Sequence, residues 1–398
     1  MSERLKGLIV VVLTLSVCAL ASEIFLRFFF PQDTLDRLRA NSPAIYRTSD
    51  LLPYELQPFS KGRLKRQEFD TTVTINSMGY RERDFNVKKE GRFRILVIGD
   101  SFTFGFGVEG NEGYPARIEK ILANDYHQGS IEVINAGFAS GHNPDTYYLY
   151  LKEKGLKLNV DLILVGFFVG NDIVHYRHSA VEHEWTRTDQ EGLPLQIRNV
   201  ASEVENGRWV RKKKRLIYAI PVLRNSHLFH LLVSSVRGLA GYFRSEHSRI
   251  FETTTPSIYQ ATYSDNIEQA IQQTQTLFRA MARLAAKNGI PLAVVMIPAR
   301  EQVYSADLKS PELRQLDWTK PQRIFAAFFS REHIPYLDLL PPMRQGAKDA
   351  DFYFRYDLHW NAKGHEFAAR ATSTFLVENN LLRASKGARG ALAFSLAS

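Results

Sequence analysis

The stretch Ile95–Phe106, ILVIGDSFTFGF, carries an apolar run straight into Gly99-Asp100-Ser101. A short continuous apolar run closed by glycine is the pattern of a strand buried on both faces, as in a parallel sheet. That strand ends on a hydroxyl flanked by an acid and a phenylalanine, at the sheet edge where open α/β folds bind their ligands. The same loop holds Gly105-x-Gly107-x-x-Gly110, the outline of a dinucleotide fingerprint. The fingerprint requires its first glycine at the strand's end and an acid after the second strand. Here Gly105 lies well beyond Ile98, and the second apolar run ends at Asn135. A P-loop is excluded because no Gly-Lys-Ser/Thr follows.

Outward from this stretch, apolar segments at Arg94–Ile98, Ile131–Asn135, Leu162–Phe168, Pro291–Ile297 and Ile334–Leu340 alternate with helical patterns. Tyr114–Asn124 has helical periodicity, Ile267–Lys287 reads as a long amphipathic helix stopped by Gly289, and Asn361 can cap a last helix running to about Leu376. Such alternation predicts an α/β fold, a parallel sheet with helices on both faces. Residues 31–90 are polar and turn-rich, with one alternating run, Thr71–Ile75, before the turn Asn76-Ser-Met-Gly79; they read as a stalk and an edge hairpin. A long interruption from Ile173 to Ser264, with helical character at Leu216–Val233, reads as an insertion or lid. The expected organisation is therefore 1–30 as anchor or signal segment, 31–90 as stalk, 91–172 with 265–380 as catalytic domain, 173–264 as lid, and 381–398 as tail.

With 398 residues and 44% hydrophobic composition, the chain can bury a sizeable core without staples. Its formal charge of +9 is dispersed except at Arg211–Arg215, which fits a solvated face or contact with anionic lipid; no nucleic-acid motif is present. Arg4 and Lys6 precede an apolar stretch from Gly7 to Ala21, extended by Ile24-Phe-Leu and Phe28–Phe30. A positive flank before a near-complete span predicts an N-terminal transmembrane helix, with the N-terminus in the cytoplasm and the remaining chain outside. Glu23 and Arg27 can pair one turn apart. Ala19-Leu20-Ala21 offers an alternative signal-cleavage site. Cys18 is the only cysteine, which excludes an internal disulfide and any cysteine-based metal site.

The residues just past each apolar segment are Gly99-Asp100-Ser101, Asn135-Ala136-Gly137, Gly170-Asn171-Asp172 and, after the fifth, Asp357-Leu358-His359-Trp360-Asn361. A serine nucleophile needs a base, the base an orienting carboxylate, and the developing oxyanion fixed donors. Each residue alone has a plainer reading: Ser101 as a helix cap, Gly137 and Asn171 as turn residues, Asp357 and His359 as a surface ion pair. Their joint order is the signal. His175-x-x-His178 with His183 resembles a metal cluster only loosely and reads as solvated lid histidines; no metal or cofactor is expected.

In that order the chain resembles the SGNH hydrolases, the GDSL-type esterase/lipase superfamily, over roughly Thr71 to Leu376. The resemblance implies a flavodoxin-like three-layer α/β/α fold around a five-stranded, mainly parallel sheet. It also implies Ser101 as nucleophile, His359 as general base, Asp357 as its orienter, and an oxyanion hole built from the N–H groups of Ser101 and Gly137 with the side-chain amide of Asn171. Many members place two residues between acid and histidine, whereas here only Leu358 intervenes. Asp-x-His-Trp-Asn segments are similar to those of envelope-associated proteins, including polysaccharide O-acetylation proteins. The expectation is a membrane-anchored serine esterase that works outside the cytoplasm through an acyl-serine intermediate, on an acylated small molecule or polysaccharide. An O-acyltransferase and a non-catalytic carbohydrate-binding relative are the alternatives.

Overall fold

The structure is a computed structural model that describes residues 2–32, 34, 41–89, 91–126, 130–173, 183–212, 220–233, 235, 256–308 and 311–382. These fall into two compact units, one from 1–42 with 213–249, the other from 43–212 with 250–398.

The first unit contains helix α1, Glu3–Phe29, whose start is capped by the Ser2 hydroxyl. It is 27 residues long, an 18-residue stretch of it reaches a mean hydropathy of 2.5, and its apolar side chains other than Leu26 are largely exposed, so it is long and apolar enough to cross a membrane. Glu23 pairs with Arg27 at 3.3 Å, as the spacing predicts. Its carboxylate also accepts from the Ser226 hydroxyl and from the N–H groups of His227 and Leu228, and so caps the helical residues 227–233. The helical expectation for Leu216–Val233 is met in part by Pro221–Asn225 and 227–233; residues 216–219 lie outside the described residues.

The second unit is built on five parallel strands: β1 Phe93–Gly99, β2 Ile131–Gly137, β3 Leu162–Phe168, β4 Leu292–Ile297 and β5 Tyr336–Asp338. Their order across the sheet is β5-β4-β3-β1-β2. From the other edge this reads 2-1-3-4-5, the flavodoxin-like order, whose switch point falls between β1 and β3. The sheet is entirely parallel. All residues of β2, β3 and β4 are buried, which is why these segments are apolar without alternation.

Alternate residues feed two cores. Leu96, Ile98, Ile163, Val165, Val294 and Met296 face helices Pro144–Glu153, Asp265–Lys287 and Lys320–Arg331. Ile95, Val97, Leu162, Leu164, Ala293 and Val295 face Tyr114–Asn124 and Ala362–Glu378. The last helix is capped by Asn361, whose side chain accepts from Lys363 N and Gly364 N.

Two sequence expectations need correction. Residues expected to form a stalk instead enter the first core from Ile45 onward, with Tyr54, Val73 and Ile75 almost fully buried. Apart from the alternating run Thr71–Ile75, these apolar residues have no regular period, so their burial is not written into a pattern. Their hairpin, Lys61–Lys65 with Asp70–Thr74, is a separate two-stranded sheet and not an edge of the main one. The insertion likewise supplies two hairpins, His183–Thr188 with Pro194–Asn199 and Ser202–Glu205 with Arg208–Arg211. They bond back to the same region, Ile197 N to Leu51 O and Tyr46 N to Gly207 O. Of the basic cluster, residues 213–215 lie outside the described residues; Lys212 donates to Asn199 O.

Candidate active site

Strand β1 delivers Asp100 and Ser101 at its carboxyl end. Asp100 caps the short helix Ser101–Phe104 by accepting from Phe102 N, so the acid and not Ser101 is the cap. Gly105 ends that helix at φ +82°, a conformation only glycine adopts freely, and lets the chain double back so that Phe106 N reaches Ser101 O. Arg81, 3% exposed, fixes this loop from outside by donating to the carbonyls of Phe104, Gly105 and Val108.

The loop after β5 meets it. Ser101 Oγ lies 2.8 Å from His359 Nε2, and His359 Nδ1 lies 2.5 Å from Asp357 Oδ1. The spacing of a single intervening residue works because Leu358 adopts φ +72°, which turns the Asp357 carboxylate back onto the ring two positions on. Phe102 and Phe106 flank the imidazole at ring separations of 5.1 and 4.8 Å.

Electrostatics suit a proton relay. Burial pulls the His359 pKa down, but the Asp357 charge and hydrogen bond outweigh it, leaving the imidazole above its ordinary value. Burial pushes Asp357 up, and the histidine beside it reverses the sign, so Asp357 stays below the usual carboxylate range. Asp100 is buried and raised to about 6, partly held back by the Phe102 N–H and the His359 charge. Asp172 is raised further by burial and by the Asp100 charge, while accepting from Phe168 N and the Tyr147 hydroxyl.

Gly137 stands at the end of β2, against the helix that carries Ser101. Its N–H donates to Asn135 Oδ1 at 2.9 Å, so it is committed within its own loop. A Cβ at this position would stand 2.2 Å from Phe104 N, so the glycine is there to let the Ser101 helix approach the strand. Asn171 sits in the turn after β3, at the switch point beside β1, and its buried Oδ1 accepts no hydrogen bond among the described residues.

One further group was misread from sequence. His183 is not solvated: its side chain is 2% exposed, with Nδ1 at 2.8 Å from the buried Asp145 carboxylate and Nε2 at 2.9 Å from Gly141 O. Burial lowers its pKa and the Asp145 charge more than restores it, so the ring can donate from both nitrogens. Trp185 Nε1 and Thr146 N complete the carboxylate. This anchors the loop following β2 to the inserted hairpin. Neither Arg81 nor His183 sits in a local pattern that announces such a partner. His175 and His178 lie outside the described residues.

Residues 258–392 match the family model described as "SGNH hydrolase-like domain, acetyltransferase AlgX". This stretch includes Asp357 and His359; Ser101 and Asn171 precede it. The chain is similar to a probable alginate O-acetylase AlgJ from Pseudomonas putida, 27% identical over 115 residues, which are 29% of this chain and 30% of that protein. Among solved structures it is similar to an acetyl xylan esterase, AlAXEase, at 14% identity and a TM-score of 0.39, covering 71% of this chain and 98% of the other. The structure of TesA is likewise similar at 14% identity and a TM-score of 0.37, covering 71% and 97%.

Proposed function

We propose, for a chain that carries an SGNH hydrolase-like domain, that Ser101, His359 and Asp357 cleave an acyl ester through an acyl-serine intermediate. The observation that carries this reading is the unbroken line of hydrogen bonds from Ser101 Oγ through both nitrogens of His359 to Asp357. In the first step Ser101 Oγ attacks the ester carbonyl as His359 Nε2 takes its proton. The oxyanion is met by the Ser101 N–H and the Asn171 side-chain amide. His359 then returns the proton to the departing alcohol, leaving Ser101 acylated. Water, activated by the same nitrogen, releases the acid.

A sugar hydroxyl in place of that water gives O-acyl transfer with the same residues. The relative named as a probable alginate O-acetylase is compatible with this second reading, with an acetyl group carried to a polysaccharide. Labelling of Ser101 by a serine-directed phosphonate tests the nucleophile. Products formed with and without a sugar acceptor then separate hydrolysis from transfer.

The pH profile follows from the electrostatics. Only neutral His359 accepts the serine proton, and its pKa is raised, so kcat/KM rises with pH through a midpoint above about 6.5. A rate independent of pH between 5 and 8, with chemistry limiting, contradicts the role of His359.

Helix α1 supports a single-pass anchor with the enzyme on the extracytoplasmic side, because Arg4 and Lys6 precede the span. Fractionation is expected to leave the full chain in the membrane, and a reporter fused at Ser398 to read the outer side. A shortened soluble form selects signal cleavage instead, and a cytoplasmic reporter overturns the topology.

A further inference from the structure

Residues 354–359 form the tip of an arch. Its base is closed by Phe354 N to His359 O at 2.8 Å, by a bridge between Tyr353 and Trp360, and by Asn361 N to Phe352 O at 2.9 Å. The tip itself lies at the surface, with Tyr356 53% exposed. It also holds Leu358 at φ +72°, a left-handed conformation unfavourable for any residue but glycine. A loop of this kind relaxes unless something outside it fixes the backbone.

That something is Glu68. Three consecutive backbone N–H groups converge on its carboxylate: Arg355 N at 2.7 Å from Oε1, Tyr356 N at 2.6 Å and Asp357 N at 3.0 Å from Oε2. Successive N–H groups closing on one anion form a nest, and hydrogen bonds to a charged acceptor are roughly twice as strong as neutral ones. Glu68 stands in the turn between strands Lys61–Lys65 and Asp70–Thr74. Its neighbour Phe69 packs on Phe354 and Phe106 at 5.0 and 5.7 Å, so the turn is itself held against both sides of the site. Arg66 in the same turn lowers the Asp357 pKa by its charge.

We propose that Glu68 is a positioning residue for the acid–base pair: its carboxylate fixes the backbone at 355–357 in the bent form that keeps Asp357 on His359 Nδ1. It acts through the loop and touches none of the reacting atoms. The inference rests on the reading of Ser101, His359 and Asp357 as the catalytic relay.

The test uses the full chain in detergent, as Glu68→Ala and Glu68→Gln. Glutamine keeps the length and one acceptor oxygen but turns the other into a donor facing N–H groups. In both variants kcat for a short acyl ester is expected to fall about 10- to 100-fold with KM nearly unchanged, as when a catalytic group is misplaced by about 1 Å. The acidic limb of the pH profile moves to lower pH, because a loosened Asp357 no longer stabilises the imidazolium; the other carboxylate acting on that ring, Asp100, is unaltered. Hydrogen exchange accelerates across 354–360 and stays constant in β1 and β3. A purely structural role would lower the melting temperature without moving the pH profile. Parent values of kcat and pH profile in the folded variants overturn the proposal. Should Glu68→Ala not fold, unchanged exchange at 355–357 in Glu68→Gln overturns it equally. Failure of the parent Ser101 to react with a phosphonate sinks the relay instead, while the exchange measurement still reads the Glu68 contact alone.

Discussion

Ser101→Ala is expected to lower turnover of a short acyl ester by about 10⁴-fold or more, because the nucleophile and base act as one unit and neither works alone. The same variant is expected to melt close to the parent. The side chain is only partly buried and its hydroxyl bonds to His359, so its removal costs on the order of one hydrogen bond, about 1 kcal/mol. Activity and thermal melting measured on one preparation separate the two effects. Parent turnover in Ser101→Ala removes the nucleophile assignment; a large loss of stability would mean that Ser101 holds the fold together.

Gly137→Ala is expected to damage both properties at once. The added Cβ would sit 2.2 Å from Phe104 N, 2.5 Å from Thr103 C and 2.7 Å from Phe104 Cα. All three neighbours are backbone, so no side chain can rotate away; either β2 or the Ser101 helix must shift. Overpacking against backbone costs about 3 kcal/mol or more, and the displaced Ser101 loses about 10²-fold or more in kcat. Denaturation midpoints and ester turnover check this, and a variant like the parent in both shows that the helix does not depend on that close approach.

The contrast between these two residues shows what the sequence can convey. Ser101 stands at the end of a strongly apolar segment, whereas His359 lies past the helix Leu340–Gly346 in a segment with no such run; the structure places the two 2.8 Å apart. Strand Leu162–Phe168 and helix Tyr114–Asn124 are found within the same bounds as their patterns indicate, since the first is an unbroken apolar run and the second carries its own helical period. Gly137 was legible as a turn glycine, but its real constraint comes from Thr103 and Phe104, on another element. β5 is shorter than its apolar run because Ile334 N closes the preceding helix on Phe329 O, and Leu339 lies just past the strand's end. Glu68, Arg81 and His183 were not legible at all. They are polar residues in turn-rich segments, where solvent is the expected partner, and their actual partners lie 23 to 289 residues away. Local periodicity carries no information about such distant pairings.

The bond between Ser101 and His359 spans 258 residues, from the first strand of the sheet to the loop after its last. A chain made from its N-terminus therefore has the proposed nucleophile long before the proposed base. Until the arch at 354–359 and the helix Ala362–Glu378 have been added, Ser101 is an ordinary alcohol with nothing to take its proton. On the proposed relay, nascent or truncated forms are expected to be inert toward esters, with activity appearing only when synthesis is nearly complete. The late arrival of His359 makes catalytic competence a reporter of finished folding: the rise of esterase activity during refolding should lag the return of helical signal and coincide with docking of the last helix.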